Sequence, residues 1–272
     1  MNESVILMRT ELLITAGIFG LLFMKLGNVK RNSLILLTIT LLLLLSGIFT
    51  LAGPAEGHLF ASLFTSNPVI RIEKSILCFA AGLLIMLHYE WLKSSAQLPE
   101  FLLLMLSAML GMFFMLSSGS LLMFYLGLEL STIPVAALAN FDLDKRRSAE
   151  AAMKMILSSA LASGIMLFGI SFIYGAAGTI QFAELATHWP AGSFTGLMGF
   201  ILFLAAFLFK LSVVPFHLWT ADVYEGSPLA VTSFLSVISK SAFAFALMRV
   251  VYEVYPSLHD QAVNMLVLLM LL

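Results

Sequence analysis

The sequence predicts an all-α, polytopic bundle of transmembrane helices. Of its 272 residues, 61% are hydrophobic and 11% are charged, and the mean hydropathy is +1.03. Soluble domains carry about 25% charged residues, so this composition indicates an integral membrane protein. Apolar runs of about 20 residues, the length that a helix needs to cross a bilayer, recur along the chain. Alternating segments of about ten residues are not seen, which disfavours a transmembrane barrel.

About nine apolar runs are predicted to cross the membrane. The first, at 8–24, is short, and it follows Glu3, Arg9 and Glu11 without a cleavage site, so we interpret it as a retained helix and not as a signal peptide. The next seven are predicted at 33–52, 75–92, 99–117, 119–139, 149–175, 197–225 and 229–250. The seventh of the nine is predicted to be discontinuous, because Pro215 removes a backbone donor and clashes with the carbonyl four residues upstream.

The connections and the end of the chain complete the predicted layout. The longest connection is predicted at 53–74, where Gly53-Pro54 and Asn67-Pro68 are typical of turns. Residues 179–194 mix polar and aromatic side chains, which favours an interfacial segment. A ninth span is predicted from about 261, and it ends in VNMLVLLMLL without a flanking charge. We therefore expect the chain to be a fragment of a longer protein.

The distribution of basic residues predicts that the N-terminus lies outside. With that orientation, seven Lys and Arg residues fall on the inner side and four on the outer side. Basic residues are enriched in short cytoplasmic loops, so this excess supports the choice. The inner residues are Lys25, Lys30, Arg31, Lys93, Lys145, Arg146 and Arg147, and the outer ones are Arg9, Arg71, Lys74 and Arg249.

Three ionisable residues lie near the middle of predicted spans: Glu129 in the fifth, Lys210 in the seventh and Lys240 in the eighth. A charge at a helix centre costs on the order of 2.5–3.5 kcal/mol on insertion scales, so each needs compensation. In one interpretation Glu129 pairs with a lysine and holds helices together. In the other, the three side chains line a hydrated ion path. A pair that forms and breaks satisfies both.

Lys154 and His217 are candidates for supporting roles. Lys154 lies inside the start of the sixth span, where snorkelling to the inner interface would satisfy its charge, so structural and functional roles both stay open. His217 follows the break at Pro215. A proline alone is also consistent with a simple kink. Broken helices at membrane depth line cavities in transporters, so a break, a lysine and a histidine within eight residues favour an ion site.

Several classes of function are disfavoured by composition. A net charge of −1 gives no electrostatic basis for binding nucleic acid. Cys78 is the only cysteine, which leaves no internal disulfide and no thiolate metal cluster. The sequence has no Gly-rich phosphate loop, CxxC pair or Ser-His-Asp pattern, and His88 has no second histidine at a matching depth for a haem. We predict that this chain binds no cofactor, metal or redox centre of its own.

Two long stretches resemble the antiporter-like, proton-translocating subunit N family of NADH-quinone oxidoreductase, respiratory complex I. One is FLFKLSVVPFHLWTADVYEGSPLAVTSFLSVISKSAFAFALMRV at 207–250. The other joins FYLGLELSTIPVAAL at 124–138 to RRSAEAAMKMILSSALASGIMLFGISFIYGAAGTI at 146–180. The related L and M subunits share the lysines and the broken helix, but they tend toward P-x-H-x-W-L-P-D-A where this chain has PFHLWTADVY.

The resemblance implies roles for the matching residues. Proton translocation is implied for Glu129, Lys210 and Lys240, with Lys154, His217 and Pro215 in support. In this hypothesis a contact with Glu129 holds a proton on Lys210, since an opposite charge favours the protonated lysine. Separation or drying of the pair would pass the proton toward Lys240, and His217 would relay it through water. NADH and quinone would be used by the whole complex, on other subunits.

The resemblance also implies an organisation of the chain. Residues 1–98 would form N-terminal transmembrane helices, 99–250 the first antiporter-like helical repeat with its break near 210–216, and 251–272 the truncated start of a ninth span. Family members have about fourteen helices and a second broken helix. A complete proton path within these residues is therefore not expected. Ala221 precedes Asp222 where the family often has a proline.

The implied setting is a multi-pass protein of the bacterial inner membrane, part of a proton-translocating NADH:quinone oxidoreductase in an electron-transport chain. Its implied partners are M-type antiporter-like subunits and small K- and J-type subunits, besides lipid and protons. Two alternatives stay open. One is a subunit of a multi-subunit cation/proton antiporter, which would work without an electron donor. The other is a truncated membrane scaffold that transports nothing.

Overall fold

The structure, a computed structural model, describes residues 3–27, 31–52, 56–187, 189, 193–254 and 267. Helices dominate it, which confirms the predicted all-α class. The helices are α1 (Glu3–Leu7), α2 (Arg9–Leu26), α3 (Asn32–Leu51), α4 (Pro68–Leu87), α5 (Tyr89–Ser94), α6 (Leu98–Leu116), α7 (Leu121–Ala139), α8 (Arg146–Ala177), α9 (Phe182–Thr187), α10 (Phe194–Leu211), α11 (Leu218–Gly226) and α12 (Leu229–Val254). Two short strands are β1 (Gly57–Leu59) and β2 (Phe64–Ser66).

Six helices are long and apolar enough to cross a membrane by length and composition. They are α3, α6, α7, α8, α10 and α12. Helices α2 and α4 reach 18 and 20 residues, but each carries three charged side chains. The first eight predicted spans thus each correspond to a helix of the structure. The ninth, predicted from about 261, lies outside the described residues apart from Val267.

The third predicted span was wrong by seven residues at its start, because α4 begins at Pro68 and not at 75. The Asn67 side chain accepts a hydrogen bond from the Ile70 amide at 2.8 Å, and Pro68 follows it in the first turn, which together start a helix. Glu73 and Lys74 are typical of a loop in the sequence. The structure buries both in the bundle, at 6% and 2% exposure. The helix also ends early, and α5 follows as a separate short helix after His88.

The chain between α3 and α4, predicted as a loop, contains a small hairpin. Strands β1 and β2 pair antiparallel, with Gly57 opposite Ser66. The hairpin joins the corner between α6 and α7, because the Thr65 amide donates to the Ser117 carbonyl at 2.8 Å and the Gly119 amide to the Leu63 carbonyl at 2.7 Å. Held by these bonds, the hairpin covers the α6–α7 corner, at the end of the bundle that is predicted to face outward.

Helix α6 lies at the centre of the bundle. Twelve of its nineteen residues are buried, and it packs against α7 and α2. The α6–α7 contact is close because Gly111 has no side chain: a Cβ there would lie 2.3 Å from the Ser131 backbone nitrogen. This contact fixes the face of α7 that carries the polar side chains described below.

Helix α10 is held between α8 and α7. A Cβ on Gly199 would lie 2.8 Å from the Gly169 carbonyl oxygen, so these glycines let α10 and α8 touch through their backbones. On the α7 side, the rings of Phe203 and Phe207 stand with centroids 5.6 and 5.4 Å from that of Phe124. Both contacts set the position of the end of α10.

Candidate functional site

The predicted break in the seventh span is confirmed. Helix α10 ends at Leu211, and α11 begins at Leu218. Ser212 adopts a left-handed backbone with φ of 61°, and its amide donates to the Phe209 carbonyl at 3.0 Å. The Val213 amide donates to the Leu208 carbonyl at 3.1 Å, which completes a helix end of the kind that satisfies terminal carbonyls. The helix therefore stops four residues before Pro215, whose peptide bond with Val214 is cis.

Lys240 of α12 binds the broken end of α10 directly. Its ammonium donates to the backbone carbonyl of Lys210 at 2.9 Å and to the hydroxyl of Ser212. It also lies 4.9 Å from the ring centroid of Trp219, a favourable cation–π position. A helix end leaves its last carbonyls without intrahelical partners, so the break supplies the acceptor that this lysine uses.

Lys210 is buried at the same place, with 4% exposure. Its ammonium donates to the hydroxyl of Thr132 on α7 at 3.3 Å. Thr132 in turn donates to the Leu128 carbonyl at 2.8 Å. The charge of Lys210 is thus met by a neutral oxygen at long hydrogen-bond distance.

Glu129 lies on the same face of α7, three residues before Thr132, and is half-buried. It accepts a hydrogen bond from the Ser163 hydroxyl of α8. Among the described residues no ion pair joins Glu129 to Lys210, although the carboxylate is near enough to attract the ammonium electrostatically. The predicted contact between them is absent from this conformation, and its formation stays a prediction.

A small cavity connects the two lysines. It has a volume of about 20 Å³ and is bounded by Thr132 of α7, Ser159 of α8, Lys210 of α10, and Ser239 and Lys240 of α12. A cavity needs about 10–15 Å³ to hold one water molecule, so this one has room for a single water between polar side chains. The six residues of α12 before Lys240, Phe234–Ser239, are π-helical, a feature that often accompanies functional sites.

Lys154 lies apart from these residues, toward the end of the bundle that is predicted to face inward. Its ammonium pairs with Asp222 at 2.7 Å and with Glu150 at 2.8 Å, and its side chain is 43% exposed. The pairs line an open cleft of about 170 Å³ between α8 and α11, together with Arg147 and Glu225, which pair at 3.3 Å. The snorkelling interpretation agrees with this exposure. The sequence did not reveal Asp222 as the partner.

His217 is exposed at the start of α11 and lines no part of the cavity between the lysines. Its carbonyl accepts from the Thr220 amide at 3.0 Å. Trp219 occupies the position by the lysines that the sequence suggested for the histidine. Its indole N–H donates to the Phe209 carbonyl at 3.2 Å, so it closes the helix end and faces Lys240.

A second buried Glu–Lys set was not found from the sequence. Glu11 of α2 and Lys74 of α4, exposed by 1% and 2%, form an ion pair, and Lys74 also donates to the hydroxyl of Ser117 at the end of α6. The sequence places Glu11 and Lys74 at the flanks of apolar runs, where charged residues are ordinary. No sequence pattern therefore marks the two residues as a buried pair. Only the fold shows that both side chains point into the bundle.

Metal binding finds no support in the part of the chain that the structure describes. No three His, Cys, Asp or Glu side chains converge there to hold an ion.

Comparison with known proteins gives consistent matches. The family model described as NADH:quinone oxidoreductase/Mrp antiporter, TM matches residues 118–272. NADH-quinone oxidoreductase subunit N of Phocaeicola vulgatus is 43% identical over 273 aligned residues, which cover 95% of this chain and 55% of that protein. The chain spans about half the length of the curated relatives it matches.

Two solved structures share the fold. A chain of respiratory complex I from Thermus thermophilus superposes with a TM-score of 0.75 at 28% identity, over 89% of this chain and 53% of that one. A chain of the Mrp complex from Dietzia sp. superposes with a TM-score of 0.70 at 22% identity, over 92% of this chain and 49% of that one. The overall fold of this chain is therefore shared with chains of two larger complexes.

Proposed function

Because the chain belongs to the NADH:quinone oxidoreductase/Mrp antiporter family of membrane proteins, we propose that it forms part of the proton-translocating path of a subunit N of NADH-quinone oxidoreductase. The observation that carries this proposal is the contact at the helix break. There the Lys240 ammonium binds the carbonyl of Lys210, and the Lys210 ammonium is buried against α7. Two lysines meet at one interruption of a membrane helix.

The proposed step is transfer of a proton between the lysines through water in the cavity. Burial disfavours a charged lysine, and an opposite charge nearby favours it. When Glu129 approaches Lys210, the lysine holds its proton. When Glu129 stays on Ser163, as it does here, the Lys210 ammonium donates to the neutral hydroxyl of Thr132, which supports release of its proton. Lys240 accepts that proton after its own proton has left, because only the neutral amine has a free lone pair. Residues Glu129, Lys210 and Lys240 are the proposed translocation residues.

The supporting residues take smaller parts in this proposal. Pro215 keeps α10 from continuing into α11. Lys154 acts at the mouth of the bundle through Asp222 and Glu150, where it positions α11 beneath the break. His217 is exposed at the start of α11 and lies outside the cavity, so in this proposal it contacts bulk water and does not bridge the two lysines.

The wider setting belongs to the same proposal. The multi-pass chain lies in a bacterial inner membrane, residues 99–250 form the first antiporter-like repeat, and M-type and small K- and J-type subunits are its neighbours. NADH oxidation and quinone reduction take place on other subunits, and their conformational changes bias the distance between Glu129 and Lys210. The relatives' names and the Thermus thermophilus match support this setting.

The experiment replaces Lys210 by Ala in the assembled complex, reconstituted in vesicles. We expect proton uptake driven by NADH to fall severalfold. As a control, Lys25→Ala removes a half-exposed lysine that pairs with Glu100 at 2.8 Å, and pumping should persist in that variant. Full pumping in the Lys210→Ala complex would contradict the proposal.

The alternative function is that of a cation/proton antiporter subunit. It is supported by the family description, which also names the Mrp antiporter, and by the fold shared with the Mrp complex. The same vesicles separate the two functions. Sodium-dependent proton movement without NADH would support the antiporter, and its absence together with NADH-driven pumping would support the proposed function.

A further inference from the structure

A surface groove runs along the first part of α3, at the end predicted to face inward, between α3 and the end of α4. Its volume is about 480 Å³. Leu34, Leu37, Ile85 and Met86 line its apolar part, and Arg31 lies at one end. The groove is independent of the lysine cavity, which is lined by residues of α7, α8, α10, α11 and α12.

The length of the groove matches one half of a bilayer. Its lining extends from Arg31, just before α3, to Thr40 within it, a distance of nine residue-to-residue steps. At 1.5 Å per residue this is about 13 Å, close to half of the roughly 30 Å hydrocarbon core. The apolar side chains therefore cover the depth that an acyl chain occupies, and the polar end lies at the depth of a headgroup.

The polar end carries two basic residues. Asn32 donates to the carbonyls of Lys93 and Ser95 at 2.9 and 3.0 Å, which brings the end of α5 against the start of α3. The Lys93 ammonium stands 5.5 Å from the ring centroid of Tyr89, a lining residue. In the part of the chain that the structure describes, neither Arg31 nor Lys93 is in an ion pair.

We propose that this groove binds an anionic phospholipid of the inner leaflet, with one acyl chain along α3 and the phosphate between Arg31 and Lys93. Basic residues near the cytoplasmic surface attract anionic headgroups, and basic pockets between membrane helices on that side bind them specifically. Tyr89 and the exposed Trp91 lie at the same level, as aromatic residues of the membrane interface do. The proposal does not depend on proton transport.

The test uses the full protein in its membrane complex, exchanged into nanodiscs of phosphatidylcholine that contain a minor fraction of phosphatidylglycerol. Native mass spectrometry after release counts retained phosphatidylglycerol. We expect the double variant Arg31→Gln/Lys93→Gln to retain it roughly 30-fold less strongly, since two basic contacts at an anionic surface are lost. Leu37→Trp should also weaken retention, because the larger side chain narrows the groove where the acyl chain would lie.

A matched control is Leu41→Trp, since Leu41 is exposed on the same helix one turn further along and does not line the groove. Retention should be unchanged in that variant. Equal retention of phosphatidylglycerol and phosphatidylcholine would overturn the proposal. Unchanged retention in Leu37→Trp would overturn it as well, because only surface charge would then be at work. If the unmodified complex retains no lipid, a protein segment fills the groove instead. That result would also contradict the proposal.

Discussion

The bundle contains two Glu–Lys sets, and they are built differently. Glu11 and Lys74 form a direct ion pair that the Ser117 hydroxyl completes, and both side chains are almost fully buried. Glu129 and Lys210 lie on adjacent helices, yet each binds a hydroxyl and not the other. The difference shows that opposite charges inside one bundle are either joined in a closed clamp between helices or kept apart, each on a neutral hydroxyl.

The clamp is expected to show the largest effect. Lys74→Met leaves Glu11 buried without its counter-charge, which typically costs about 3–5 kcal/mol in unfolding free energy. Titration of the protein in mild detergent with a denaturing detergent, followed by circular dichroism, measures this. The double variant Glu11→Gln/Lys74→Met should recover much of the loss, because no unpaired charge is left. If the double variant is less stable than Lys74→Met, the pair is not a clamp.

A smaller effect is expected at the separated set. Thr132→Val removes the hydroxyl that accepts a hydrogen bond from the Lys210 ammonium, and a hydrogen bond to a charged group of this length contributes about 1–2 kcal/mol. The same titration measures it. Thr132→Ser keeps the hydroxyl and serves as the control. A loss in Thr132→Val as large as that in Lys74→Met would remove the distinction between the two sets.

The smallest effect is expected outside both sets. Lys154→Gln breaks the pairs with Asp222 and Glu150, but the side chain is exposed, and such pairs contribute little and are screened by salt. We expect no measurable change in stability and no difference between low and high salt. A clear loss of unfolding free energy that disappears at high salt would show that this surface pair stabilises the fold. The surface pair would then form a third class beside the clamp and the separated set.

Much of the fold was predictable from the sequence, because hydropathy and helix breakers act locally. Apolar runs located eight helices, and Pro215 marked the discontinuity. The start of α4 was not predictable, since Arg71, Glu73 and Lys74 look the same in a loop as in a buried turn. The contacts of Lys74 with Glu11 of α2 and with Ser117 after α6 are visible only in the folded bundle.

The site was predictable in its residues but not in its contacts. Membrane-depth charges pointed to Lys210 and Lys240, because such charges are costly. The contact between them was not predictable from the sequence, since Lys240 binds a backbone carbonyl and every residue has one. Thr132 and Ser163 were missed for a related reason: hydroxyls are common in membrane helices, and no pattern marks the two that face a charge.

The backbone acceptor of Lys240 has a genetic consequence. The carbonyl of residue 210 is present whichever amino acid is encoded there, so no codon change at that position deletes it. Substitutions at 210 therefore alter the side-chain charge and leave the docking point of Lys240 in place.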